Sequence, residues 1–328
     1  MSNQLNGEVV VGPFEDRPGF PGWLQATIFY RPLAAAPPVA SFTGTPTSGT
    51  DPLTVAFTDA SSNTPTSWLW ERDSGSGWST FSTSQNPTQS FTAGTWSVRL
   101  TATNAGGSDT QTRTSYLVIA AAGIALVAHS AAGSVGGNTV TTAGIDTTGA
   151  NLLVAAVAGY SAVTLPVPTD SRGSTITGRT VRSGGSARMQ QSDGAPASVG
   201  AGHTATEATS AAYPTLAFAA FAGAAASPLD QQSGTGGTGV TSLQPGSITP
   251  SVPGCLFLAA VCFNSTNTVS VTGTGWVMLD QFNYFAGQCF GLAIAYKIQT
   301  GGVAAENPTF SWATPCDAAV SMCAYKPA

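Results

Sequence analysis

Charge is what this sequence has least of. Only 8% of its 328 residues are Asp, Glu, Lys or Arg, against roughly a quarter in an average soluble protein. Lysine occurs twice, at Lys297 and Lys326, and the formal net charge is −5. A chain this poor in cations cannot neutralise a phosphate backbone, which excludes nucleic acid as a partner. Basic residues gather once, at Arg172, Arg179, Arg182 and Arg188. They read first as scattered charge on a solvated loop, and otherwise as a patch for an acidic glycan or partner surface. Histidine is as scarce, with His129 in an apolar stretch and His203 in the turn-rich GAGHT. No GxSxG elbow accompanies them, so the Ser-His-Asp pattern of a hydrolase is missing. Asp146, Asp170, Asp193, Asp230, Asp280, Glu306 and Asp317 are carboxylates mostly set in turns, where Asp is an ordinary turn former. None stands out as a glycosidase pair, and no calcium-loop spacing occurs. The chain is expected to be non-enzymatic, with no metal and no cofactor.

Long amphipathic helical patterns and long apolar runs are absent as well. LVAAVAGY and CLFLAAVCF are too short to cross a bilayer as helices, and no membrane partner is expected. The first 20 residues carry Glu8, Glu15 and Asp16 without the basic and apolar segments of a secretory signal. Synthesis in a cytoplasm is the expectation. The five cysteines, Cys255, Cys262, Cys289, Cys316 and Cys323, form no CxxC pair. Several lie in apolar runs, where a free Cys behaves as a small hydrophobe, so most are expected to be reduced core residues. What is abundant is Gly (38), Pro (21), Ser and Thr. That composition predicts an all-β protein with neutral, hydroxyl-rich surfaces and many turns.

Residues 1–36 form an arm. VVVGPF and LQATIFY are short strand-like runs divided by DRPGFPG. A hairpin alone is marginal in water, and Phe14, Phe20, Trp23, Ile28, Phe29 and Tyr30 would be costly to expose. The arm therefore packs either on a partner or on the rest of the chain, and these six residues are its candidate anchor. LAAAPP reads as a linker.

Residues 37–120 contain several short strands separated by turn signals, the pattern of an antiparallel sandwich. Leu53, Val55 and Phe57 alternate onto one face, and Trp68 and Trp70 share another. The order PLTVAFTDASS, SWLW, NPTQSFTAGTWSVRLTATNAGGSD, SYLVI resembles a PKD domain, an immunoglobulin-like module, over about 80 residues. This chain has WLWERDSGSG where the family has W-x-F-G-D-G, and NPTQSF lacks the usual His. PKD domains are spacers and contact modules, so the resemblance implies presentation rather than chemistry.

Residues 123–226 and 227–328 read as two copies of one β-module. IALVAHS…ANLLVAAVAG lies on LDQQSGT…CLFLAAVCF, placing Asn151 on Cys255, 104 residues on, and Phe221 on Tyr325, again 104. The third strand is matched with Ser186 on Leu292, 106 residues on. ANLLVAAVAG and CLFLAAVCF do not alternate, so they are predicted as strands buried on both faces. Helix is the competing reading, and flanking Gly and Pro favour strand. The copies are either two jelly-roll-like sandwiches in contact, the preferred reading, or one pseudo-symmetric jelly roll. The second copy, with GWVMLDQ, LAIAYKIQT and NPTFSWATPCDAAVSMCAYKP, also resembles a β-module of phage structural proteins. That resemblance implies a surface-exposed virion protein.

The expectation assembled from these parts is a phage virion structural protein, a capsid decoration or head-fibre subunit made in the host cytoplasm. It would attach through its arm to the major capsid protein or neighbouring subunits, as a homo-oligomer. The alternative is a tail-fibre or adhesin that binds a host surface glycan. Trp78, Phe81, Trp276, Tyr284, Phe285 and Trp312 are aromatics able to stack on sugar. Trp276 and Trp312 read rather as core, whereas Trp78, in the polar loop GSGWSTF, is the candidate exposed contact. A third reading, an exported surface enzyme, would need Asp170, Asp193 and His203 to converge.

Overall fold

The structure, a computed structural model, describes residues 7–16, 19, 24–32, 35–134, 137–160, 164–208, 213–285, 290–300 and 302–328. The protein is all-β: every regular element among these residues is a strand. The chain divides into two units, 1–120 and 121–328.

In the first unit, Gly7–Asp16 pairs antiparallel with Leu24–Pro32, Val9 opposite Tyr30 and Val11 opposite Ile28. These two strands form a sheet of their own. Phe20 and Trp23 lie outside the described residues, as do the side chains of Phe14, Ile28, Phe29 and Tyr30. The sandwich that follows has a three-stranded sheet, Phe42–Thr45, Leu53–Asp59 and Thr88–Phe91. Facing it is a five-stranded sheet ordered Ser48–Thr50, Gly107–Ala120, Gly94–Asn104, Ser67–Asp73 and Ser79–Ser82. The alternation read from the sequence fills the space between them. Phe42, Val55, Phe57, Trp70, Phe91, Val98, Leu100, Leu117 and Ile119 form the core. Trp70 is fully buried, and its indole N–H is satisfied by Ser84 O at 2.8 Å.

The second unit holds two six-stranded sheets whose first five strands follow the same order, the sixth attaching differently in each. The first runs Ala125–Gly133, Thr215–Ala222, Leu152–Tyr160, Ala187–Gly194, Thr177–Gly178, with Arg182–Gly184 also on Ala187–Gly194. The second runs Ala224–Leu243, Thr309–Pro327, Leu256–Phe263, Gly291–Ile298, Val277–Phe282, with Ser270–Thr272 on Thr309–Pro327. Register carries the duplication. Leu152 faces Phe221 and Leu256 faces Tyr325, so both partners repeat 104 residues on. In the third strand the repeat is 103: Asp193 faces Val154 and Tyr296 faces Leu258. The sequence match of 106 there is corrected by three, an odd number, which turns every side chain to the opposite face. The few identities in that strand left its register open.

Leu152–Tyr160 and Leu256–Phe263 are buried along almost their whole length because each sheet is covered on both sides. The inner faces share one core, from Leu152, Val154 and Phe221 on one sheet to Leu256, Leu258 and Tyr325 on the other. A three-stranded sheet, Thr139–Thr141, Ala205–Ala208 and Thr169–Asp170, covers the outer face of the first copy. Phe310, Trp312 and Trp276 cover that of the second. At one edge the sheets almost touch through backbone. A Cβ on Gly236 would fall 1.9 Å from Ser183 O, and one on Gly184 would fall 2.0 Å from Ala318 O. The glycine run of SGTGGTG is therefore a packing requirement.

Candidate functional site

At the end of the strand Leu152–Tyr160, the two copies leave a concavity of about 230 Å³. Tyr160, Tyr213, Tyr284, Phe285 and Phe290 line it, with Ser186 and Asn264 as the polar groups. Tyr160 and Asn264 occupy corresponding positions of the duplication, 104 residues apart, and both reach this one place. Phe290 is buried at the base, its ring 6.3 Å from Tyr160 and 5.9 Å from Tyr284. Tyr160, Tyr213 and Phe285 keep 43, 41 and 51% of their surface exposed. Tyr213 has φ +48°, the left-handed region that a bulky residue rarely adopts. Its carbonyl accepts the Phe290 N–H at 3.1 Å, which ties the rim to the base.

The polar side is rigid. Asp317 Oδ2 accepts both the N–H and the hydroxyl of Ser186, at 2.8 and 3.1 Å. Asn264 Nδ2 donates to Ser186 Oγ at 2.6 Å, and Asn264 Oδ1 accepts the Asp317 N–H at 2.9 Å. Gly185 allows this turn to form, with φ +54° and a Cβ position only 2.2 Å from the Asp317 carboxylate. No charged side chain lines the concavity among the described residues.

The sequence-predicted residues are distributed differently. Tyr284 and Phe285 are in the concavity. Trp276 and Trp312 are buried at 9 and 7% exposure, and Phe81 packs against Phe57, Trp70 and Phe91 in the first unit. Trp78 is half-buried, with the Arg99 guanidinium 4.4 Å from its ring. The four arginines take different neighbours. Arg172 donates to Ala201 O at 2.8 Å, and Arg179 is ion-paired with Asp193. The Arg182 side chain lies over Gly234, and Arg188 stands opposite Gly159 and Ser183. Tyr160, Tyr213 and Phe290 were not picked out from the sequence, because nothing local distinguishes them from core aromatics.

Asp170 and His203 do meet, but with Thr147 instead of Asp193. His203 Nε2 is 3.0 Å from Asp170 Oδ2, and its Nδ1 is 3.0 Å from Thr147 Oγ1. All three are inaccessible as a hydrolytic centre. The His203 and Asp170 side chains and Thr147 are fully buried, and the Thr147 hydroxyl is held by Gly200. Burial pushes the Asp170 carboxyl up, and hydrogen bonds from Ser174, His203 and Arg172 overcome that and leave it below the usual range. The arrangement staples two loops. His129 Nδ1 sits 2.8 Å from Asp280 Oδ2 and links the copies. Burial raises the Cys262 and Cys323 thiols to about 12, which makes them inert. Cys255, Cys262, Cys316 and Cys323 are free and buried, and Cys289 lies outside the described residues. Among the described residues, no three His, Cys, Asp or Glu side chains cluster to hold a metal, and no helix is long and apolar enough to cross a membrane.

No protein-family model and no curated protein matches the chain. Among solved structures, one described as "Structural basis for the promiscuous specificity of the carbohydrate-binding modules from the beta-sandwich super family" aligns with 90% of this chain and 94% of its own. It is 13% identical, with a TM-score of 0.23. At that level the likeness carries no inference about a ligand.

Proposed function

We propose that this chain is a non-enzymatic, adhesin-type protein that binds a saccharide in the aromatic concavity between the two copies. The observation that supports it is the exposed set of Tyr160, Tyr213 and Phe285 around a buried Phe290, beside a fixed polar edge of Ser186 and Asn264. A pyranose has one apolar C–H face and a rim of hydroxyls. It matches a site of aromatic rings with a few convergent polar groups. Sites that enclose drug-sized ligands measure roughly 300–1,000 Å³. A concavity of about 230 Å³ holds one sugar ring and leaves the rest of a glycan in solvent. The PKD-like unit then acts as a spacer. A glycan array probed with the full chain tests this: saturable signal on a defined set of glycans is expected, and a blank array overturns it.

A second reading places the protein on a phage particle as a decoration or head-fibre subunit. It rests on the N-terminal hairpin. Its strands pair only with each other among the described strands, and Val9, Val10 and Val11 are 57, 41 and 53% exposed. An isolated hairpin bearing three consecutive exposed valines suits docking onto capsid or neighbouring subunits. Removing residues 1–36 should abolish co-sedimentation with particles and leave the β-sheet circular dichroism unchanged. Undiminished decoration by the truncated chain overturns this reading.

A further inference from the structure

The polar edge of the concavity has hydrogen-bonding capacity left over, and its only unused donor is on Asn264. The amide orientation of Asn264 is fixed, because the Asp317 N–H can only donate and must therefore face Oδ1, 2.9 Å away. One Nδ2 hydrogen is used on Ser186 Oγ at 2.6 Å. Ser186 Oγ is itself held by Asp317. One N–H and one lone pair of the Asn264 amide remain, on a residue that lines the concavity.

Building on the saccharide reading above, we infer that Asn264 is a specificity-determining residue, selecting neutral sugars through hydrogen bonds to their hydroxyls while the site rejects acidic ones. The remaining N–H and lone pair offer one donor and one acceptor to sugar hydroxyls. A carboxylate binds most strongly to cationic donors, and none of the described lining residues is cationic. The charge nearest the polar edge has the wrong sign. Asp317 stands directly behind Ser186, 2.8 Å from its backbone nitrogen, and a second carboxylate in the concavity would meet like charge at short range. Asp317 thus acts as a positioning residue with a second effect, on selectivity.

The test is titration of the full chain, followed by saturation-transfer NMR, with the methyl glycosides of galactose, mannose and glucose, and with methyl galacturonoside. At least one neutral glycoside is expected to bind, with the uronoside about tenfold weaker or worse. Asn264→Ala is expected to lower neutral-sugar affinity by about tenfold, the scale of a lost hydrogen bond. Asp317→Asn keeps an acceptor for Ser186 and should narrow the neutral-to-acidic ratio, a change that a purely structural role would not produce. If Asn264→Ala does not fold, that ratio decides alone. The inference is overturned, with the saccharide reading intact, if the uronoside binds as well as the neutral sugars. The same holds if Asn264→Ala binds normally while Tyr160→Ala does not. No binding by any of these probes, together with a blank array, overturns both.

Discussion

The Tyr325 hydroxyl donates to Asp193 Oδ1 across the two sheets, at 3.2 Å. The corresponding pair from the other copies is Phe221 and Tyr296, in edge contact at 6.0 Å. Phe221 repeats as Tyr325, and Asp193 repeats as Tyr296, so each copy offers the other the same positions. That exchange is what a two-fold interface between identical subunits looks like. Here both halves are on one chain, and the concavity forms where the corresponding strand ends meet.

Removing the hydroxyl should therefore cost stability. Tyr325→Phe leaves Asp193 buried with Arg179 as its remaining partner, and the expected loss is about 1–3 kcal/mol. Urea unfolding measures it. An unchanged midpoint would mean the hydrogen bond contributes nothing net.

Stability should also fall as pH rises from the ordinary glutamate range. Glu207 is fully buried, and neither carboxylate oxygen has a hydrogen-bond partner among the described residues. Burial raises its pKa from 4.5 to about 8. Between those values the unfolded chain releases the proton and the folded chain keeps it, so stability declines with pH, by at most about 1.4 kcal/mol per unit. The advantage of Glu207→Gln over the parent should grow across this window and level off above it. A pH-independent difference in melting temperature would contradict this account.

Trp78→Ala should leave saccharide binding unchanged, because the Trp78 ring is occupied by Arg99 and forms no part of the concavity. The same is expected of Arg172→Ala, whose side chain holds the loop carbonyl of Ala201. Titration of both variants with an array-selected glycan checks this, and a loss of affinity in either would move the site.

Much of the fold was legible because burial leaves its period in the sequence. Val55 and Phe57 alternate because the opposite face of their strand is wet. LLVAAVAG does not alternate because neither face is. The duplication was visible at 104 residues because the apolar strands resist change. The 103 spacing of the third strand was hidden, since Asp193 and Tyr296 share no chemistry. The site was only half legible. Tyr284 and Phe285 could be named as aromatics, but Tyr160, Tyr213 and Phe290 become a platform only when two sheets stack. The one signal in the sequence was that Tyr160 and Asn264 end corresponding strands. The Trp78 loop looked exposed because the partner of its ring, Arg99, is 21 residues away along the chain and reaches it only through strand pairing.

The most direct test of the central claim is the affinity of Tyr160→Ala for the best array-selected glycan, measured by titration calorimetry beside the parent chain. Tyr160 keeps 43% of its surface exposed at the rim, so the fold should survive its truncation. The account predicts a loss of tenfold or more, with the melting temperature within a few degrees of the parent. Parent-like affinity in the folded variant would contradict it and place any saccharide elsewhere on the protein.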